Sequence, residues 1–157
     1  MPKSYLTLRF LAEPIHVNFG GKVHGGSVMK WLDEAAYACA SGYCGCYCVT
    51  VSVSGLRFVA PIRIGNLVEI RARVLLTGRT SVTIGLEVTA VDVRSHERTL
   101  ATRCLMTFVA MDENAKPVLV PKWRPETPQQ IRWAELAQAA RVSTDAVEAQ
   151  LAEILAS

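Results

Sequence analysis

The segment from Ser27 to Ala40 constrains this chain more than any other. It is entered through Gly25-Gly26, holds no proline or glycine, and carries Val28, Met29, Trp31, Leu32, Ala35, Ala36, Ala38 and Cys39. Apolar positions spread over nearly the whole circumference predict a helix buried on most sides, so other elements have to wrap it. The residues that follow supply the wrapping. Val49, Val51 and Val53 alternate with polar residues, and beyond Gly55 the phase moves to Leu56 and Phe58, which places a bulge at or near Gly55. The same period of two runs from Val68 to Leu76, Val82 to Ala90 and Leu100 to Phe108, after an earlier strand at Tyr5 to Leu11. Strands joined by short turns pair antiparallel with their successors. The expected class is therefore α+β, a bent antiparallel sheet wrapped around one long buried helix.

The chain has 157 residues, a length at which one domain withdraws roughly 70% of its unfolded surface from water. That domain is read as 1–115. Four prolines between Lys116 and Pro128 make 116–128 an extended linker. Thr127-Pro128-Gln129-Gln130 reads as a capping box with proline at the first helical position, which opens C-terminal helices over 129–157. Arg141-Val142 is read as an interruption, with Ser143 capping a second helix on the stripe Val147, Leu151, Ile154 and Leu155. These helices are expected to pack on the domain or on a neighbouring subunit.

Charge and composition narrow the functions. Every apolar run is interrupted before the roughly 18 residues that a membrane span requires, and the first residues lack the pattern of a secretory signal. A cytoplasmic protein with no membrane partner is expected. The formal net charge is only +3, too small to imply nucleic acid. Its distribution is uneven, however, with eight arginines, no lysine and four acids between Arg57 and Arg103. Arginine forks suit phosphate, and a solvated strand face is the equal alternative. Five cysteines leave one unpaired in any full disulfide scheme, which favours reduced thiols. Cys44, Cys46 and Cys48, spaced by two, would share one strand face without a fourth ligand, so no metal is expected.

Two carboxylates, Asp33 and Glu34, fall in the apolar helix about 100° apart, where an unpartnered charge is expensive. A functional acid and a pair of wet sheet-edge carboxylates are both consistent with that placement. Gly25 and Gly26 at the helix start add unpaired backbone N–H groups, the positive end of the helix dipole, and close access for a carbonyl. Those are the requirements of an oxyanion hole for acyl transfer.

The run from His16 through Asn18, His24, Gly25 and Gly26 to Asp33, Glu34, Ala35 and Ala36 resembles the active-site segment of hot-dog acyl-CoA thioesterases. Phe58-Val59-Ala60-Pro61 through Gly65-Asn66, and Gly78-Arg79-Thr80-Ser81, extend the resemblance over about residues 5 to 112. His24 before the glycines is similar to the phenylacetyl-CoA and small acyl-CoA branch. Asn66 stands where an Asp is usual. The resemblance implies a hot-dog fold and an acyl-CoA thioesterase. Asp33 would be general base or nucleophile, Asn18 would hold water or thioester, and a Gly25 or Gly26 amide would bind the oxyanion. Coenzyme A would run along Thr50, Val51 and Ser52 and the Arg79-Thr80-Ser81 turn, with Arg57 or Arg79 at its phosphates. No cofactor is implied beyond the coenzyme A of the substrate. The implied active unit is at least a dimer, within a tetramer or hexamer, with the loop of one subunit facing the helix of another. His24 is a second candidate base, as in hot-dog dehydratases, and a non-catalytic acyl-CoA sensor is the third reading.

Overall fold

The computed structural model describes residues 2–156. Its elements in chain order are β1 (Tyr5–Leu11), a single 3-10 turn (Pro14–His16), α1 (Gly25–Cys44), β2 (Tyr47–Phe58), β3 (Leu67–Thr77), β4 (Ser81–Val91), β5 (Arg98–Met111) and α2 (Pro128–Ala156). The five strands form one antiparallel sheet in the order β1-β3-β4-β5-β2. The α+β hot-dog architecture expected from the sequence is present. One expectation about neighbours fails. β2 and β3 are consecutive in the chain but do not pair, because residues 59–66 carry the chain across to the far side and leave β2 as an edge strand.

The inner face of the sheet holds Val68, Ile70, Ala72, Val74, Ile84, Val88, Met106 and Phe108, all buried, against Val28, Leu32, Ala35, Ala36, Cys39 and Ala40 of α1. Trp31 sits edge-on to Phe10 and to His16, each at 4.8 Å between ring centroids, and closes the N-terminal end of this core. The bulge expected near Gly55 is there, with Gly55 at φ +63 and a register shift between Ser54 and Arg57. A second shift between Thr50 and Ser52 was not read from the sequence. Together they bend β2 along the helix.

α1 is buried on fewer sides than expected. Its residues Met29, Asp33, Glu34, Tyr37 and Ala38 form an exposed face in the protomer. The apolar residues on that face point away from the sheet, since one sheet can cover only one side of a helix.

The C-terminal part also departs from the reading of two helices. α2 is continuous through Arg141, Val142 and Ser143. Val, Ser and Thr are weak helix formers, each about 0.5 kcal/mol poorer than alanine, but none of them breaks a helix. Arg141 is anchored here, its guanidinium donating to Ser81 Oγ at 3.3 Å. The capping box does form: Gln130 N–H donates to Thr127 Oγ1 at 3.1 Å and Thr127 N–H to Gln130 Oε1 at 3.3 Å. The proline-rich residues before it lie as a strap on the domain, with Val118 N–H bonded to Ala110, Val120 N–H to Arg79, and Trp123 N–H to Thr77 Oγ1.

Candidate active site

Asp33 lies two turns into α1 on its open face, opposite the first part of the edge strand. Thr50, on the inner side of β2, donates its hydroxyl to Asp33 Oδ1 at 2.6 Å. Thr50, expected as a coenzyme contact, thus also meets the carboxylate. One carboxylate oxygen is thereby held, on a residue that is exposed in the protomer. Glu34, the rival acid, is turned away and lies 3.9 Å from Lys30 in an exposed (i, i+4) pair, an arrangement of ordinary helix surfaces.

The helix start is built by His24. Its Nδ1 accepts from Gly26 N–H at 2.9 Å, so the imidazole is the N-cap of α1. His24 backbone C=O accepts from Ser27 and Val28. These bonds separate two glycines that the sequence left equivalent. Gly26 N–H is consumed by the cap, whereas among the described residues Gly25 N–H meets no acceptor. Gly25 opens into a cleft of about 330 Å³ lined by Asn18, Lys22, Phe58, Pro61 and Thr102 among others. A Cβ on Gly25 would lie 3.5 Å from the Phe58 ring, an ordinary contact distance.

Asn18 belongs to the same cleft. Its Oδ1 accepts from Gly20 N–H at 2.9 Å and Lys22 N–H at 3.2 Å. That leaves Nδ2 to donate, so Asn18 offers a hydrogen-bond donor to whatever occupies the cleft. Within one protomer the cleft and Asp33 are apart. Eight residues of helix separate Gly25 from Asp33, about 12 Å along the axis.

The residues expected to hold coenzyme A fall at different places. Thr50 and the Arg79-Thr80-Ser81 turn share one end of the sheet, since Thr50 pairs with Phe108, and Val82 next to Ser81 pairs with the same residue. Ser81 is buried, and its Oγ accepts from Arg141 at 3.3 Å. Val51 is the exposed bulge residue of β2, while Ser52 pairs with Thr107 beside it. Arg57 pairs with Arg103 toward the opposite end of β2, so Arg57 and Arg79 are not alternatives for one spot.

Two clusters lie outside this geometry. The three spaced cysteines do not share a strand face: Cys44 ends the helix, Gly45 is its left-handed cap, and only Cys48 is in the strand. A chain turning from helix to strand breaks the period of two. A hydrogen bond with Cys44, opposed by burial, draws the Cys48 thiol down to about 7, while burial pushes Cys39 and Cys104 up to about 12. Among the described residues no group of three His, Cys, Asp or Glu side chains is placed to hold a metal ion. On the outer face of the sheet, Glu69 is 3% exposed and is gripped by Arg98 at 2.7 Å, Arg9 at 2.9 Å and Arg71 at 3.0 Å. Burial alone would raise its carboxyl, but the bonds from Arg9 and Arg98 and the charges of Arg98 and Arg71 outweigh it and hold Glu69 below the usual carboxylate range. Part of the arginine excess is therefore structural.

Comparison with known proteins fits this geometry to a family. Residues 20–95 match the model of the thioesterase superfamily. The acyl-CoA thioester hydrolase YciA of Escherichia coli is 36% identical over 124 residues, covering 77% of this chain and 94% of its own. The crystal structure of an apo-hexameric acyl-CoA thioesterase superposes with a TM-score of 0.88 at 31% identity, covering 92% of this chain and 93% of that one. An acyl-CoA hydrolase from Staphylococcus aureus, solved with butyryl coenzyme A, coenzyme A and coenzyme A disulfide, gives 0.86 at 28% identity, with 98% and 95% covered. With this identity and coverage, and the same fold, the chain belongs to the acyl-CoA thioester hydrolases of the thioesterase superfamily.

Proposed function

We propose that this protein hydrolyses acyl-CoA thioesters to free acid and coenzyme A at a site shared by two protomers, with Asp33 and Thr50 from one and Gly25 and Asn18 from the other. The observation that carries the reading is the separation of the two halves. A thioester carbonyl bound by the Gly25 amide is beyond reach of the same protomer's Asp33. The fold offers a way to close the gap. Gly25 lies beside Phe58, and Asp33 beside Thr50, so α1 runs antiparallel to β2. If two β2 edges meet antiparallel, the Phe58 and Gly25 end of one protomer comes alongside the Thr50 and Asp33 end of the other. The hexameric relative supports self-association of this kind.

The chemistry follows from the groups available. The thioester carbonyl oxygen accepts from Gly25 N–H and Asn18 Nδ2, which stabilise it as charge develops. Asp33, with Oδ1 held by Thr50, uses its other oxygen in one of two ways. As a base it takes a proton from water while the water oxygen attacks the carbonyl carbon. As a nucleophile it attacks the carbon itself and forms a mixed anhydride that water then opens. In both, the C–S bond breaks, the coenzyme A thiolate leaves and is protonated, and the acid is released. His24 holds the amide array in place through the cap. Arg79 and the exposed stretch of β2 at Val51 are proposed to meet the coenzyme. The S. aureus hydrolase has been studied with an Asn, an Asp or a Thr replaced by alanine. Those positions are 15 and 17 residues apart, the separations of Asn18, Asp33 and Thr50 in this sequence.

Incubation with acyl-CoAs of graded chain length, followed by free thiol release, tests the reading. Release by wild type and its loss in Asp33→Asn are expected. Undiminished release in Asp33→Asn removes Asp33 from the mechanism, and no release from any acyl-CoA leaves a sensor or a dehydratase.

A further inference from the structure

α2 is longer than the sheet it crosses. Its 29 residues span about 43 Å, whereas five strands are about 19 Å from first to last. The crossing can be followed by its contacts. Gln130 and Trp133 lie over Tyr5 and Thr7 of β1, with the Arg73 guanidinium 4.7 Å from the Trp133 ring. Ser143 and Val147 face Val53 and Gly55 of β2 at the other edge. About thirteen residues, roughly 20 Å of helix, therefore cross the whole sheet, and a similar length projects past β2.

The projecting part has a distinct composition. From residue 142 to 156 it carries Asp145, Glu148 and Glu153 and no basic residue. Val147, Leu151 and Leu155 are exposed along one stripe. The sheet has the complement. Beside α2 on the outer face runs a groove of about 350 Å³, with Leu105, Trp133 and Leu136 giving it an apolar lining and Arg71, Arg73 and Arg103 outnumbering Glu87. Among the described residues, Arg73 and Arg103 have no carboxylate within ion-pair distance. Arg103 stands between Arg57 on β2 and Glu87 on β4, so the one acid in this row is shared among more than one guanidinium and an incoming acid adds a further partner.

We propose that the acidic C-terminal half of α2 docks into this groove on a second copy of the chain. The inference rests on the two-protomer reading above and extends it to the other face of the sheet. Two sheets joined at β2 double the width beneath each helix, which then matches its length. A two-fold axis at that seam runs the two α2 helices antiparallel. Since α2 leaves β2 near Ser143, residues beyond about 150 of one copy come alongside 133–140 of the other. Leu151 and Leu155 then meet Trp133 and Leu136, and Glu153 meets Arg103.

The test places the photo-crosslinker p-benzoylphenylalanine at position 155 in a mixture of isotopically light and heavy full-length protein. Irradiated peptides are mapped by mass spectrometry, and size is measured by light scattering. Mixed light-heavy crosslinks from position 155 to 133–140 or to β5 are expected. Glu153→Arg should lower their yield about fivefold, and Glu153→Arg combined with Arg103→Glu should restore it. A dimer or larger assembly that gives no intermolecular crosslink overturns the docking and leaves the shared active site intact. A monomer by light scattering overturns both.

Discussion

The two faces of the sheet are built on opposite principles. On the inner face the strands present Val, Ile, Ala and Phe to α1, and the single charged group of consequence, Asp33, is kept at the open margin with one hydrogen bond from Thr50. On the outer face the charge is inside the structure. Glu69 is buried among three guanidiniums, and α2 crosses the rest. A catalytic carboxylate has to remain ionised, reachable and lightly held. A structural carboxylate is saturated with partners and gives up its reactivity. The difference teaches that burial and pairing mark Glu69 as architecture, whereas the sparse environment of Asp33 is what its proposed role in catalysis requires.

Four substitutions break or sharpen that contrast, beginning with the largest expected effect. Asp33→Asn should lower kcat for thiol release about a hundredfold or more, with the thermal midpoint unmoved, because the side chain is exposed in the protomer. A large drop in stability would mean that Asp33 is structural after all. Glu69→Gln should do the reverse, costing about 2 kcal/mol in a denaturant titration while kcat stays near wild type. Its pH dependence has a definite sign. Since the folded carboxyl titrates below its unfolded value, its stabilisation is present above about pH 4.3 and is lost as pH falls through the folded value. The substituted protein should show a flatter stability profile in that acid window. Thr50→Ala should reduce kcat about tenfold, the worth of a hydrogen bond to a charged group, and Thr50→Ser should recover most of it. An equal loss in both would assign the effect to packing. The smallest effect belongs to Gly26→Ala, whose Cβ would stand 3.2 Å from His24 Nδ1. It should destabilise by about 1 kcal/mol through the cap and change kcat less than Gly25→Ala does.

How far these features were legible in the sequence differs between the faces. The inner face was read almost strand for strand, because burial against one helix imposes a period of two that appears directly in Val68 to Leu76 and Val82 to Ala90. The Gly55 bulge was visible as a phase change. The crossing from β2 to β3 was not, since pairing order leaves no mark on periodicity. Asp33 was conspicuous as a charge in an apolar helix, but the choice over Glu34 required a family resemblance. The distinction between Gly25 and Gly26 became available only with the His24 cap. Thr50 could have been singled out by its place in a strand that flanks the helix, but the sequence gives no measure of its distance to Asp33. α2 was divided at Arg141-Val142, with Ser143 read as the cap of a second helix, but a serine inside a helix costs only about 0.5 kcal/mol, and packing across the sheet overrides so small a preference. The exposed half of α1 was misread as buried for a related reason: apolar residues on a helix declare that a partner exists without saying whether it lies in the same chain.

The shared site is the central claim, and subunit mixing tests it most directly. Asp33→Asn and Asn18→Ala proteins, each inactive alone, are dissociated, combined in equal amounts and allowed to reassociate. Each hybrid pair then holds one site with Asp33 from one protomer and Asn18 from the other, both intact. Thiol release should recover to about one quarter of the wild-type rate, because half of the pairs are hybrids and each carries one working site of two. A mixture that forms hybrid pairs by mass spectrometry and stays inactive would contradict the account and place Asp33 and Asn18 in the same protomer's site.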